Sequence, residues 1–184
     1  MIDSEIYNLL LPIKNKTLIK IRENIQEDKQ KLNIIKAAVP QLNVYCTFER
    51  TFTTCLGLSI QDIAAQCGKN VINTDAKNKK VLGIDLRTEF GEGQIKLNTN
   101  TQTGTHRGDS ITKLLNTTTK NGTKPFFVTA LGESYEYEKN NILYLGGEAF
   151  WSKIGMNYSD VYDTIIEVIK ETYNEVKSTF ITTL

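Results

Sequence analysis

The chain has 184 residues, 40% of them apolar and 23% charged, and 22 lysines and arginines nearly balance 21 acids for a net charge of +1. These fractions belong to a folded globular protein and exclude a disordered or low-complexity chain. No apolar run approaches membrane-spanning length, and no basic segment followed by an apolar one opens the chain, so the reading is a single cytoplasmic domain over 1–184 with no membrane partner.

In chain order, residues 3–10 are predicted as a short helix ended by Pro12. Residues 15–38 follow as an amphipathic helix on Leu18, Ile21, Ile25, Leu32 and Ile35, with Pro40 beyond its end. These N-terminal helices, 3–38, would pack on the core or extend it. Lys14, Lys16, Lys20 and Arg22, then Lys29, Lys31 and Lys36, alternate with Glu23, Glu27 and Asp28, which reads as a solvated helix face. A helix over about 48–67 carries Phe52, Leu56, Ile60, Ile63 and Ala64, and Gly68 is placed to stop it. Cys46, Cys55 and Cys67 have no C-x-x-C spacing, which argues against a disulfide framework and a zinc ribbon and leaves small buried side chains.

Residues 81–98, VLGIDLRTEFGEGQIKLN, read as two strands and a tight turn. Strand side chains alternate, so Ile84 and Leu86 share one face and Asp85 takes the other; Ile95 and Leu97 oppose Gln94 and Lys96 in the same way. A turn over Thr88–Gly91 pairs Arg87 with Glu92 and sets Asp85 across from Gln94. Beyond it, 108–118 is predicted helical with Asp109 or Ser110 as N-cap, and 116–124 is a polar loop. Phe126–Leu131 and Ile142–Leu145 read as strands, 147–153 as a helix with Phe150 and Trp151 in the core, and Ser159 to about Phe180 as a final helix. Helices around a mixed central β-sheet, with the hairpin in its middle, make an α/β fold.

The hairpin carries the chemistry. A carboxylate, an amide and a lysine converge on one side. Asp85 offers a hard anionic oxygen of the kind Mg²⁺ takes, Gln94 a neutral carbonyl oxygen, and Lys96 a cation that can offset charge on a phosphoryl transition state. Asp85, eight residues, then Gln94-Ile95-Lys96 resembles the PD-(D/E)xK nuclease superfamily, with glutamine in the place of the pair's acid. A second alignment takes Glu92-Gly93-Gln94 as the pair and puts Gln94 in the lysine position. The order of segments across roughly 45–170 is similar to that of type II restriction endonucleases.

The resemblance implies a restriction-endonuclease-like core and hydrolysis of duplex DNA with one or two Mg²⁺ ions, leaving a 5′-phosphate and a 3′-hydroxyl. It also implies a homodimer on a palindromic site and a DNA methyltransferase as genetic partner. Glu49, or less favourably Asp62, would supply a further metal-directed carboxylate from the preceding helix. Its alternative is a helix-start acid that complements the dipole. Asn98, Asn100 and Gln102, alternating along a strand extension, and His106 and Arg107 beyond them are the candidate DNA contacts, with Arg107 favoured as a phosphate clamp or guanine reader. A structure-specific junction or repair nuclease, and a non-catalytic DNA- or protein-binding module on the same fold, remain the alternatives.

Overall fold

A computed structural model describes residues 2–27, 39–74, 83–98 and 104–181. Their backbone divides into two compact units, Met1–Leu58 with Tyr162–Leu184, and Ser59–Val161.

The first unit is helical. Helix α1, Ser4–Glu27, starts under an Asp3 cap whose carboxylate accepts the Glu5 and Ile6 N–H groups at 2.9 and 3.0 Å. Contrary to the reading of a break at Pro12, α1 runs straight through that residue. An interior proline costs about 3 kcal/mol. Ile6, Leu10, Ile13 and Ile21 form one buried stripe on either side of it, and each contributes about 1.5–3 kcal/mol by burial, so packing outweighs the lost hydrogen bond. The predicted stretch 28–38 lies outside the described residues.

Helix α2, Pro40–Cys67, begins eight residues before the expected start, with Pro40 as its first residue, a position where a missing N–H costs nothing. Its end falls at Gly68 as expected. Ile21, Val44, Val176 and Phe180 form this unit's apolar centre, with Leu18 and Phe48 against it. Helix α5, Tyr158–Val176, continues into a π-helical turn, Lys177–Ile181. Polar ties join α1 to α5: Tyr7 donates to Glu171 at 2.6 Å, and Lys14 pairs with Glu175 at 2.9 Å. Of the cysteines, Cys55 is buried as expected, Cys67 is partly covered, and Cys46 is exposed.

The second unit is built on a six-stranded mixed sheet ordered β1-β2-β3-β4-β6-β5. The strands are β1 Ile72–Asn73, β2 Leu86–Thr88, β3 Gly91–Lys96, β4 Pro125–Thr129, β5 Tyr135–Lys139 and β6 Ile142–Gly146. β3, β4 and β6 run parallel at the centre, and antiparallel strands complete both sides. Helix α3, Gly104–Asn121, makes the crossover from β3 to β4, the connection that parallel neighbours require. The fold is therefore α/β with a mixed sheet, as the sequence predicts.

Two glycines make the hairpin possible. Gly91 has φ +146°, and a Cβ there would come within 2.1 Å of the Lys124 carbonyl oxygen; at Gly93 it would come within 2.2 Å of the Phe126 ring. Register then fixes the faces. Ile95 neighbours Val128 and Leu145, while Gln94 neighbours Phe127 and Tyr144. The second row packs with Ile84, Ile142 and Leu114, and Leu114 stands on α3, so α3 covers the face that carries Gln94. Phe150 and Trp151, on the short helix α4 Gly147–Lys153, are fully buried as expected, and the Trp151 indole N–H donates to the Ala130 carbonyl at 2.7 Å.

Three further readings are corrected. α3 begins at Gly104 rather than at an Asp109 or Ser110 cap, and it extends to Asn121, so residues 116–121 are helix rather than loop. Leu114 and Thr118, both buried, carry its inner face past the point where polar composition suggests a stop. Strand β5 was not predicted. Its signal is Tyr-Glu-Tyr-Glu alternation followed by Asn140 and Asn141, both at positive φ (52° and 60°), the conformation of a two-residue hairpin turn. Among the described residues, no helix is long and apolar enough to cross a membrane.

Candidate active site

The hairpin pairs as its residue order predicts from its turn as far as Leu86. Thr88 faces Gly91, Arg87 faces Glu92 and Leu86 faces Gly93; there the register ends, and the Asp85 N–H donates to the Gly93 carbonyl at 2.8 Å, so the expected step that would set Asp85 opposite Gln94 is not made. β2 pairing stops at Leu86, and there the Asp85 carboxylate accepts the Ile95 N–H at 3.1 Å. The same oxygen, Oδ2, accepts from the Lys96 ammonium at 3.1 Å. Both side chains keep a water-facing fraction, 14% for Asp85 and 24% for Lys96. The pair sits at the carboxyl end of a parallel strand, where open α/β sheets place ligands.

Gln94 is only 5% exposed. Its amide nitrogen donates to the Gly83 carbonyl at 2.9 Å, which fixes the amide's sense, since a flip would set two oxygens against each other. Its Oε1 is buried and has no hydrogen-bond partner among the described residues. A buried acceptor left unpaired costs on the order of 1–3 kcal/mol. A cation satisfies such an oxygen. Carboxylate and neutral carbonyl oxygens, the types that Asp85 and Gln94 carry, are those a hard divalent ion takes while it keeps several waters. Among the described residues no group of three or more His, Cys, Asp or Glu side chains gathers around a common point.

Glu92 plays a different part. It is 1% exposed, and both oxygens are taken: Arg87 Nε donates to Oε1 at 2.6 Å, while Asn121 Nδ2 and Thr123 Oγ1 donate to Oε2 at 2.8 and 2.9 Å. Burial pushes its carboxyl upward. The hydrogen bonds from Asn121, Thr123 and Arg87, with the Arg87 charge, outweigh burial and hold it below the ordinary carboxylate range. Glu92 ties the hairpin to the end of α3. Glu92 and Gln94 on this side of the hairpin are thus buried and hydrogen-bonded, while Arg87 beside Glu92 is half exposed. Asn121 and Thr123 escape a reading from sequence because their segment looks like an unstructured polar loop.

The remaining candidates fall elsewhere. Glu49 is exposed in the interior of α2, ten positions into the helix and within the first unit, so it does not complement a helix start. Asp62 accepts from the Asn73 amide on β1 at 2.8 Å. Asn98 is exposed in a bend after β3 and not on a strand extension; Asn100 and Gln102 lie outside the described residues. The backbone of His106 and Arg107 belongs to the first turn of α3, and their side chains are outside the description. A cleft of about 550 Å³ opens at the hairpin turn beside Arg87, Phe90, Lys124 and Glu138, at the start of β3, whereas Asp85 and Lys96 stand at its end.

The chain matches no family model, no curated protein and no solved structure.

Proposed function

We propose that this chain is a Mg²⁺-dependent endonuclease of duplex DNA, of the type II restriction class, with Asp85, Gln94 and Lys96 as its working residues. The observation that carries the reading is the buried, unpartnered Oε1 of Gln94 on the strand that also carries Lys96, whose ammonium pairs with Asp85. Asp85 and Gln94 would hold the ion. When bound, it supplies polarisation of the scissile phosphodiester and acidifies water at the site. Lys96, held by Asp85, places its ammonium where it can donate to a phosphate oxygen or orient the attacking water, and it offsets charge that builds on the phosphate. Attack forms the new P–O bond and breaks the P–O3′ bond, so one proton leaves the water and the 3′-oxygen takes one up.

The saturation of Glu92 favours the alignment Gln94-x-Lys96 over Glu92-x-Gln94, because Glu92 has no oxygen without a donor. The sheet order and the β3–α3–β4 crossover are compatible with a restriction-endonuclease-like core. Arg107, in the first turn of the crossover helix that follows β3, is the proposed DNA contact. A two-fold dimer on a palindromic site, a cytoplasmic setting and a partner methyltransferase complete this reading.

One observation favours a second reading. The Asp85 carboxylate already holds the Ile95 N–H and Lys96, which is what a purely structural lock would do in a non-catalytic module. Asp85→Asn separates the two, because it keeps an acceptor for Ile95 and removes the charge. With supercoiled plasmid and Mg²⁺ the wild type should give discrete fragments that EDTA abolishes, and Mg²⁺ or Ca²⁺ should raise its melting temperature; the variant should lose both responses. A wild type with neither cleavage nor a metal-dependent shift would refute the nuclease reading.

A further inference from the structure

The first unit holds a cleft that the hairpin chemistry does not use. It encloses about 570 Å³ between α1 and α2, and Lys16, Lys20, Arg50, Asn43, Thr47 and Thr51 are among its lining residues. Lys16 and Lys20 stand one turn apart on α1, and Arg50 approaches from α2. Lys20 shares its charge with Glu23 at 3.1 Å, while Lys16 and Arg50 have no ion pair among the described residues. The described lining contains no carboxylate and no aromatic ring. Three cations around one space repel each other and are relieved by an anion.

The shape selects the kind of anion. The α2 wall presents Asn43, Thr47, Thr51 and Thr54 on successive turns, and those positions span about 16 Å at 1.5 Å per residue. A nucleic-acid strand advances about 3.4 Å per phosphate, so the trough matches about four or five phosphates rather than a single small ion. Without an aromatic ring it offers no platform for stacking a base, and lysines with hydroxyls contact backbone without reading sequence.

We infer that the α1–α2 cleft binds the sugar-phosphate backbone of nucleic acid through Lys16, Lys20 and Arg50, independently of sequence. This goes beyond the hairpin chemistry and does not require it. Sequence alone assigns Lys16 and Lys20 to a solvated helix face; the cleft arises because α2 brings Arg50 against them.

The test is binding of the full chain to a labelled 20-base-pair duplex in EDTA, where cleavage cannot contribute, over a range of salt concentrations. Lys16→Ala/Lys20→Ala/Arg50→Ala should weaken binding to two duplexes of unrelated sequence alike. It should also flatten the slope of log K against log salt by about 2–3, near 0.9 for each lost phosphate contact. Lys16→Arg/Lys20→Arg/Arg50→Lys should keep the wild-type slope. Lys120→Ala/Lys139→Ala/Lys170→Ala, which removes equal charge at exposed sites elsewhere, should leave it nearly unchanged.

Cys46 lines the cleft and is exposed, so duplex DNA should also slow its alkylation, read by peptide mass. An unchanged slope in the first variant, an equal loss in the third, or no protection of Cys46 would overturn the inference. So would a wild type that ignores DNA and instead sediments with phosphatidylserine vesicles through the same three residues. A protein that binds DNA in this way but never cleaves it would overturn the nuclease reading and support this one.

Discussion

Replacing Glu92 with alanine tests whether the hairpin is held by the carboxylate cluster at its base. The side chain is buried, and it receives two neutral donors, Asn121 and Thr123, and one charged donor, Arg87. Each neutral hydrogen bond is worth about 1 kcal/mol net. The Arg87 bond would be worth more, but its side chain is half exposed, so screening brings it down to about 1 kcal/mol as well. Glu92→Ala should therefore destabilise the second unit by roughly 3 kcal/mol, a fall in melting temperature of roughly 6–12 °C for a chain of this size. Trp151 is the single tryptophan and lies buried in that unit, so its fluorescence reports the transition.

The pH dependence has a definite sign. A carboxyl held below its ordinary value in the folded state contributes stability above the unfolded value and loses it as pH falls through the folded one. Glu92→Gln removes that titration. The wild-type advantage over Glu92→Gln should be full at pH 7 and should shrink below about pH 4.5. A change within about 0.5 kcal/mol for Glu92→Ala, or a Glu92→Gln gap equal at pH 3.5 and pH 7, would refute the reasoning.

Two predictions concern the residues proposed to do the chemistry. Lys96→Ala should lower the rate of Mg²⁺-dependent plasmid cleavage by about 10²–10⁴-fold while the metal-induced rise in melting temperature persists; an unchanged rate would make Lys96 a structural partner of Asp85. Gln94→Glu replaces the donor to the Gly83 carbonyl with a second acceptor at 2.9 Å, so the metal-free protein should lose about 2–3 kcal/mol and Mg²⁺ should restore much of it. Loss without restoration would remove residue 94 from the ion's surroundings.

The hairpin was legible because its signal is local. Alternation along the second strand and a turn ending at Gly91 fix the pairing of Arg87 with Glu92; the further step to Asp85 opposite Gln94 did not follow, because the register stops at Leu86 and the Asp85 N–H turns to the Gly93 carbonyl. What covers the hairpin was not legible. Gly104, Thr105 and Gly108 are poor helix formers, yet α3 starts there, since tertiary burial of Leu114 and Thr118 outweighs propensity. For the same reason a polar face that alternation alone assigns to solvent carries a 1% exposed Glu92 and a 5% exposed Gln94. Pro12 misled through a local rule overruled by a long apolar stripe. Strand β5 carried its signal openly in Asn140–Asn141, a turn that sequence reasoning passed over.

Burial also accounts for an amide at position 94. Glu92 already places one carboxylate on this face, two residues along the strand, and needs Arg87 and two neutral donors to stay ionised there. A glutamate at 94 would add a buried charge to a face that already carries Glu92, beside Lys96, whose ammonium is already paired with Asp85. Like charges so placed push one carboxyl toward its protonated form, and a protonated acid is a poor ligand. Glutamine presents a carbonyl oxygen without that repulsion and uses its nitrogen to bind the Gly83 carbonyl. The cost is a weaker hold on a cation, since a single formal negative charge remains, itself shared with Lys96. On the proposed function this makes ion binding depend on the phosphate that arrives with the DNA, whose charge joins that of Asp85.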